Sequence, residues 1–360
     1  MEKIMKSKKR LIIKIMASFF AIVIFLAVYY ATVLHVGFLR IEDNLEIQSK
    51  GKAGKKAPGG ETLTVLTYNV GFGAYSDDYS FFMDGGEYSR AFSKEAVIEN
   101  IGASVELVQN LDIDFIFLQE VDICGTRSYG VDETQMFKDA FRLYDRIEAV
   151  NYDSPYLLYP LDEPIGSNKS CIMTLSRYNV KNGTRRSLPV ESFPNNLFDF
   201  DRAYTATRVY TQNDNWLVLY NLHLSAYTSD GKIVDEQLKM LFEDMKKDYE
   251  EGNYVVASGD FNKDLLGDSS EFFVCGEGEY DWAKPIKTEL FPECLKLYAP
   301  TNAPSRRSAD KPYKGDGSDF VAVTDGIIVS DNIEVVLSET IDTGFAYSNH
   351  NPVKFEIILK

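Results

Sequence analysis

A run of twenty uncharged, mostly apolar residues near the N-terminus constrains the organisation of the whole chain. It covers residues 15–34, IMASFFAIVIFLAVYYATVL, and follows the basic segment MEKIMKSKKR. A helix of twenty residues is about 30 Å long, which matches the thickness of a bilayer core. By the positive-inside rule, the preceding Lys and Arg place residues 1–10 in the cytoplasm and the chain after about residue 36 outside. We therefore predict a single-pass signal anchor in the cell membrane over residues 11–36.

A cleaved signal peptide is the main alternative interpretation of this segment. The apolar stretch of a signal peptide is normally about 7–15 residues long and ends in a small-x-small cleavage site. The present run is longer, and AVYYA is a poor cleavage site. Cleavage would make the protein secreted instead of anchored. A helix buried in a core is the third interpretation.

The charge is distributed unevenly between the N-terminal segment and the rest of the chain. Residues 1–60 contain eleven Lys or Arg and four Asp or Glu, which leaves 27 basic and 50 acidic residues in 61–360, a balance of −23. Binding nucleic acid by charge alone requires clustered Lys and Arg, so this body should not bind it in that way. A metal site uses carboxylates, and through a metal the same body could bind a phosphate ester.

The four cysteines of the chain bear on its redox compartment. They are Cys124, Cys171, Cys275 and Cys294. Disulfides are permitted in an exported chain, although sequence does not define their pairing. The spacing of these cysteines indicates no zinc site.

Beyond the anchor, the chain predicts a linker followed by one domain. The segment SKGKAGKKAPGG is rich in Gly, Lys and Pro without periodicity, and it predicts a flexible linker over residues 37–61. Residues 62–360 contain no further linker or repeat. Short strand-like runs dominate them, with helical periodicity over 93–110, where Ser93 is the expected N-cap, and over about 232–249. The pattern favours an α/β (α+β) architecture of two packed sheets covered by helices.

Several polar residues occur where predicted strands end. A carboxylate that emerges from a buried strand is costly unless it has a partner or a function, whereas an Asn after a strand commonly forms a turn and a lone His is usually a bonded core residue. Asp260 and Asn262 are two positions apart in SGDFN, so in extended chain both side chains point to the same side. The complete set of these candidate site residues comprises Asn69, Glu120, His223, Asp260, Asn262, Asp325 and His350.

In order along the chain, seven stretches resemble the endonuclease/exonuclease/phosphatase superfamily. They are TYNV, LQEVD, LSRYN, NLHLS, GDFN, TDGIIVS and SNHNP, and they span residues 67–352. Only GDFN is distinctive by itself; the order of all seven carries the resemblance. It implies a four-layered α/β/β/α sandwich of two mixed β-sheets over residues 62–360, with the site at one edge of the sheets. It also implies hydrolysis of phosphate esters with a divalent cation.

The resemblance implies a metal site for Mg²⁺ or Mn²⁺. Glu120 would be the principal ligand, and Asn69 would assist it. The family usually has Asp immediately before the final histidine, and this chain has Asn349 there. Asn keeps a carbonyl oxygen but loses the negative charge. We therefore expect weaker metal binding, while His350 keeps its function as the base.

The resemblance also implies catalytic roles. His350 would be the general base that activates water, with Asp325 bonded to its other ring nitrogen. Asp260 would assist attack or protonate the leaving oxygen, and Asn262 would bond the phosphate. His223 would donate to a non-bridging oxygen.

Three further residues are candidate substrate contacts. Arg127, Asn168 and Arg202 are each able to bind phosphate oxygens, although a solvated side chain or a structural pair is the simpler interpretation of each. A lipid hydrolase is expected to have an exposed aromatic hairpin, and ESFPNNLFDF (191–200) is a segment whose conformation the sequence leaves open.

These features predict a membrane-anchored extracytoplasmic phosphoesterase. Its substrate would be nucleic acid or a phospholipid headgroup, and we expect a monomer without an obligate protein partner. The alternative is a catalytically weakened pseudoenzyme that serves as a surface binding protein. Only Asn349 supports that alternative.

Overall fold

The N-terminal helix extends beyond the predicted anchor. The computed structural model describes residues 2–38, 40–193, 196, 199, 201–228, 231–278 and 280–360. Helix α1 (Glu2–Gly37) includes the whole apolar run. Its part Ile4–Gly37 is long and apolar enough to cross a membrane, a test that a signal sequence near the N-terminus also passes.

Two mixed sheets form the centre of the domain. The first, in spatial order, contains β1 (Leu45–Gln48), β6 (Val180–Ser187), β7 (Ala203–Tyr210), β8 (Trp216–His223), β9 (Tyr254–Asp260), β13 (Asp325–Ser330) and β10 (Leu295–Tyr298). The second contains β14 (Ile333–Thr340), β15 (Val353–Leu359), β2 (Thr62–Asn69), β3 (Phe115–Gly125), β5 (Asn168–Ser176) and β4 (Asp145–Asp153). The pairs β2–β3 and β8–β9 are parallel. A separate short ladder joins β11 (Arg306–Arg307) to β12 (Val321–Ala322).

Helices cover the outer faces of both sheets. Helices α2 (Lys94–Asn110) and α3 (Glu133–Ala140) pack on the six-stranded sheet, and α4 (Lys232–Glu250) packs on the seven-stranded sheet. A third apolar cluster fills the space between the sheets. This is the predicted α/β/β/α sandwich. The two predicted helices are confirmed, and Ser93 caps α2 by accepting a hydrogen bond of 3.1 Å from the Ala96 amide. Helix α3, with eight residues, is too short to show a clear period.

The segment expected as a flexible linker over 37–61 is instead attached to the domain. Strand β1 pairs antiparallel with β6 and adds an edge strand to the seven-stranded sheet. The Ala57 side chain is fully buried, and its amide donates to the Tyr210 carbonyl over 2.8 Å. The Ile41 amide donates to Asp201 Oδ1 over 2.8 Å. The composition and the lack of side-chain periodicity indicated a linker. In the structure, backbone hydrogen bonds hold the segment on the domain, and such bonds leave no pattern in the side chains.

The cysteines are free thiols in the fold. Cys171 is buried, and burial raises its pKa well above the usual value. Cys275 and Cys294 are partly buried, and Cys124 is exposed. The disulfides that an exported chain would permit are therefore not formed.

Candidate active site

Strand pairing brings the predicted polar residues to one edge of the two sheets. In the parallel pair β8–β9, His223 lies opposite Asp260, and in the antiparallel pair β9–β13, Asp260 lies opposite Asp325. Asn69 ends β2 in the other sheet and lies opposite Gln119 of β3. Residues far apart in sequence therefore meet because each stands at a strand terminus on the same edge.

A break in the β3 ladder directs Glu120 into the cleft. The register between β3 and β5 shifts between Leu118 and Val121, and Glu120 adopts a positive φ of 53°. This conformation costs about 1–2 kcal/mol for a residue with a side chain, and such irregularities re-aim side chains next to functional sites. The Glu120 side chain remains 24% exposed, while its neighbours in the site are buried.

Asn69 connects the two carboxylates of the site. Its Nδ2 donates to Glu120 Oε1 over 3.2 Å and to Asp260 Oδ2 over 3.1 Å. Its Oδ1 accepts a hydrogen bond of 3.0 Å from the Gly71 amide. The amide therefore fixes the two carboxylates relative to each other.

His350 and Asp325 form a buried pair. His350 Nδ1 lies 2.8 Å from Asp325 Oδ2, and that oxygen also accepts from the Ser305 hydroxyl over 2.7 Å and the Thr324 hydroxyl over 3.1 Å. The other ring nitrogen, Nε2, lies 3.5 Å from Asp260 Oδ2. The pairing holds the ring with Nδ1 towards Asp325 and Nε2 towards the cleft.

His223 approaches the same carboxylates from β8. Its Nε2 lies 3.5 Å from Asp260 Oδ2 and 3.9 Å from Glu120 Oε1. Burial lowers the pKa of His223 well below its usual value, and the positive charges of Arg202 and other neighbours lower it further. His223 is consequently a neutral imidazole, which donates a hydrogen bond through only one ring nitrogen.

Of the predicted substrate contacts, Arg127 lines the cleft, whereas Asn168 does not. Arg127 forms a bidentate pair with Asp122 (3.1 and 2.7 Å) and stacks 3.9 Å from the Phe72 ring centroid. Asn168 is buried behind it. Its Oδ1 accepts from the Arg127 amide over 2.9 Å, and its Nδ2 donates to the Ile165 carbonyl over 3.1 Å. In this structure Asn168 supports the backbone that carries Arg127.

Arg202 and Arg306 complete the basic wall of the cleft. Arg202 lines it and pairs with Asp199 Oδ1 over 3.0 Å. The Arg306 guanidinium lies 3.8 Å above the Trp282 ring and donates to Asn262 Oδ1. The sequence pattern does not indicate Arg306, because this residue lies in an irregular segment without periodicity. Only tertiary pairing places it in the site, through a bridge to His350.

Comparison with solved structures identifies the fold. Sequence comparison finds no matching family model and no matching curated protein. A structure described as an endonuclease/exonuclease/phosphatase from Beutenbergia cavernae superposes with a TM-score of 0.54 at 15% identity, covering 83% of this chain and 72% of that one. One from Bacteroides vulgatus gives 0.52 at 14% identity, with 83% and 100% coverage. The chain has the endonuclease/exonuclease/phosphatase fold.

A third similar structure has a bound nucleotide analogue. It is ANGEL2, described as a 2′,3′-cyclic phosphatase in complex with adenosine-2′,3′-vanadate, with a TM-score of 0.53 at 12% identity and coverage of 87% of this chain and 98% of that one. At such identities the likeness establishes the endonuclease/exonuclease/phosphatase fold alone.

The side chains at the edge of this endonuclease/exonuclease/phosphatase fold suit a divalent cation. Glu120 and Asp260 share a neutral donor, the Asn69 amide, which compensates neither negative charge, and the Arg306 guanidinium lies 3.9 Å from Asp260 Oδ2. Hard cations such as Mg²⁺ prefer carboxylate oxygens and retain several waters. The partial exposure of Glu120 leaves access for these waters. Asp260, Asp325 and His350 also place ligand atoms within 4.8 Å of one another, but Asp325 and His350 are already bonded to each other. Of these side chains, Glu120 and Asp260 could therefore hold a divalent cation.

Asn349 occupies the position where the sequence resemblance leads us to expect Asp. It lines the cleft beside His350, and its main-chain oxygen accepts from the Arg307 amide over 3.0 Å. The substitution therefore removes a charge from the cleft wall without displacing the adjacent histidine from Asp325.

Proposed function

We propose that the protein is a divalent-metal-dependent phosphoesterase that α1 anchors in the membrane, with its domain outside the cytoplasm. The observation that carries the proposal is the His350–Asp325 pair, in which His350 Nε2 faces a cleft lined by three carboxylates and three arginines. A general base, a cation site and donors for phosphate oxygens are the three components that such hydrolysis requires. A non-catalytic surface binding protein is the alternative, and only the loss of charge at Asn349 favours it.

The chain's own residues account for the proton transfer. His350 Nε2 accepts the proton of the attacking water, and Asp325 stabilises the imidazolium that forms. General-base catalysis of this kind contributes about 10²–10⁴-fold in rate. Asp260 lies 3.5 Å from that nitrogen, in position to orient the water or to pass a proton to the leaving oxygen.

Several donors that line the cleft would bind the phosphate. His223, neutral because it is buried, donates to a non-bridging oxygen. Arg306 and Asn262 contact each other, and both line the cleft together with Arg127 and Arg202. A bound Mg²⁺ or Mn²⁺ would supply further charge stabilisation at the phosphoryl oxygens. The net negative charge of the domain disfavours binding of nucleic acid by charge alone. The hydrogen-bond donors that line the cleft must therefore bind the phosphate.

The proposed activity can be tested on the full chain in mild detergent. Hydrolysis of bis-(p-nitrophenyl) phosphate is measured with Mg²⁺ or Mn²⁺, after EDTA, and after the metal is restored. We expect activity that EDTA abolishes and metal restores, together with a strong loss in Glu120→Gln and His350→Gln. The exposed Glu106→Gln on α2 is the matched control. A folded chain without hydrolysis under any of these conditions would favour the surface-binding alternative.

A further inference from the structure

The connection between β4 and β5 carries an exposed apolar tip. Leu157 and Gly166 exchange two backbone hydrogen bonds, both of 3.1 Å, and close the base of this loop. At the tip, the exposed fractions are 42% for Leu158, 68% for Tyr159 and 85% for Leu161. Single exposed apolar residues are ordinary, but three within four positions form a patch that indicates an interaction surface. We call residues 156–161 the apolar loop.

The outer end of α1 packs directly on the apolar loop. The Tyr30 hydroxyl accepts from the Leu158 amide over 2.9 Å and donates to the Tyr156 carbonyl over 3.3 Å. Leu34, one turn later, is buried, with only 8% of its surface exposed. Gly37 lies so close to Pro155 that a Cβ there would be 2.7 Å from the proline Cβ. These contacts fix the loop next to the membrane helix.

The position of Tyr30 along α1 sets the depth of the loop. Tyr30 precedes Leu34, the last residue of the apolar run, by four positions, which is about 6 Å along the helix axis. If residues 15–34 span the hydrocarbon core, Tyr30 lies within about 6 Å of its outer boundary, near the interface where tyrosines are enriched. Because the Leu158 amide bonds to Tyr30, the tip of the apolar loop lies at the same level.

The apolar loop is also continuous with the rim of the cleft. Ile165, next to the loop's base, lines the cleft beside Arg127. The Tyr159 ring packs on Phe82 with 5.7 Å between ring centroids, and the next residue, Met83, also lines the cleft. The anchor, the apolar loop and the cleft rim therefore form one connected surface.

We propose that the apolar loop inserts into the outer-leaflet interface of the bilayer that α1 spans, and that the cleft receives phosphate esters of membrane lipids. The second part rests on the proposed function; the first does not. Burial of apolar side chains must drive the insertion. Asp162 is exposed next to Leu161 and the domain is acidic, so anionic headgroups would not attract this surface. Anionic lipid is therefore not required for insertion.

Insertion can be measured without any assay of activity. The full chain with Leu161→Trp is reconstituted in phosphatidylcholine vesicles whose acyl chains are brominated. The matched control is Val336→Trp, an exposed position on β14, at the opposite edge of the six-stranded sheet from β4. Both variants retain the two native tryptophans. We expect blue-shifted, bromine-quenched emission from the Leu161→Trp chain and no added quenching from the control. Equal quenching in the two variants would overturn insertion.

The lipid substrate requires a second measurement. Vesicles of phosphatidylcholine, phosphatidylethanolamine and phosphatidylglycerol are compared with bis-(p-nitrophenyl) phosphate and duplex DNA, and water-soluble products are identified by mass spectrometry. The double variant Leu158→Asp/Leu161→Asp should lower the ratio of vesicle to soluble-substrate rates at least about tenfold, whereas Val336→Asp should not. An unchanged ratio, or hydrolysis of DNA without any lipid product, would overturn the lipid assignment. Failure to cleave any substrate would reject the proposed function itself, while the quenching result would still decide insertion.

Discussion

His350 Nδ1 lies 2.8 Å from Asp325 Oδ2, and both side chains are almost completely buried. The Ser305 and Thr324 hydroxyls donate to the same carboxylate oxygen, so Asp325 itself is held in place. Strand β13 begins at Asp325, opposite Asp260 of β9, which connects the pair to the end of the neighbouring strand. The orientation of the histidine is therefore a property of the fold.

Replacing Asp325 by Asn should remove most of the catalytic rate. The amide keeps the shape of the side chain but offers no charge to stabilise the imidazolium of His350. We expect kcat on bis-(p-nitrophenyl) phosphate to fall by about 10²–10⁴-fold, with a smaller change in KM. Ser305→Ala, which removes one donor to Asp325 and no charge, should have a clearly weaker effect. Equal activity of Asp325→Asn and the unmodified chain would show that His350 is not the base.

Arg306 should contribute to phosphate binding through its planar guanidinium. Its stacking on Trp282 and its bond to Asn262 require geometry that a lysine ammonium does not reproduce. We expect Arg306→Lys to lower kcat/KM by about 10–100-fold, which corresponds to the loss of about 1.5–3 kcal/mol from a charged hydrogen bond. Arg142→Lys is a matched control, because Arg142 is exposed and, within the part of the chain that the structure describes, forms its ion pair with Asp139 on α3. Similar kcat/KM values for the two variants would contradict this role.

Restoring a carboxylate at Asn349 should strengthen cation binding. Asn349 lines the cleft beside His350, and an added negative charge there attracts the same cation as Glu120 and Asp260. We expect Asn349→Asp to lower the Mg²⁺ or Mn²⁺ concentration that gives half-maximal activity by about tenfold, equivalent to about 1.4 kcal/mol. Isothermal titration calorimetry provides a check that is independent of turnover. An unchanged affinity in calorimetry would place Asn349 outside the cation site.

The sandwich and its site edge were predictable because they depend on local patterns. Apolar runs that end in polar residues define strands, and the order of these runs carried the family resemblance. Glu120, Asp260 and His350 could be singled out on that basis, and the structure places them in one cleft.

Other features depended on tertiary pairing that no local pattern records. Arg306 enters the site through a two-residue strand, and the role of Asn168 depends on which backbone amide lies next to it. Strand β1 lies at an edge, where backbone hydrogen bonds suffice and side-chain alternation is weak. Phe193 is exposed, but half of the candidate hairpin 191–200 lies outside the described residues.

Glu133 should make the stability of the domain depend on pH. Burial raises the pKa of this carboxyl well above its usual value, and the nearby negative charge of Asp122 raises it further. In the unfolded chain the group ionises near its ordinary pKa of 4.5. As pH rises above that value, the unfolded chain releases the proton while the folded state retains it, so the folded state binds more protons and stability falls. The loss continues until the folded-state pKa is passed.

Replacing Glu133 by Gln should remove this loss. Gln keeps an oxygen to accept the hydrogen bond of 2.9 Å from the Asp122 amide, but it carries no charge at any pH. We expect the free energy of unfolding at pH 7 to be about 1–3 kcal/mol higher for Glu133→Gln than for the unmodified chain, and the difference to shrink towards pH 4.5. Urea denaturation of the full chain in detergent, followed by tryptophan fluorescence across this pH range, measures both curves. Glu106→Gln controls for the loss of one exposed carboxylate, and a constant offset between the Glu133→Gln and unmodified chains at all pH values would contradict the titration argument.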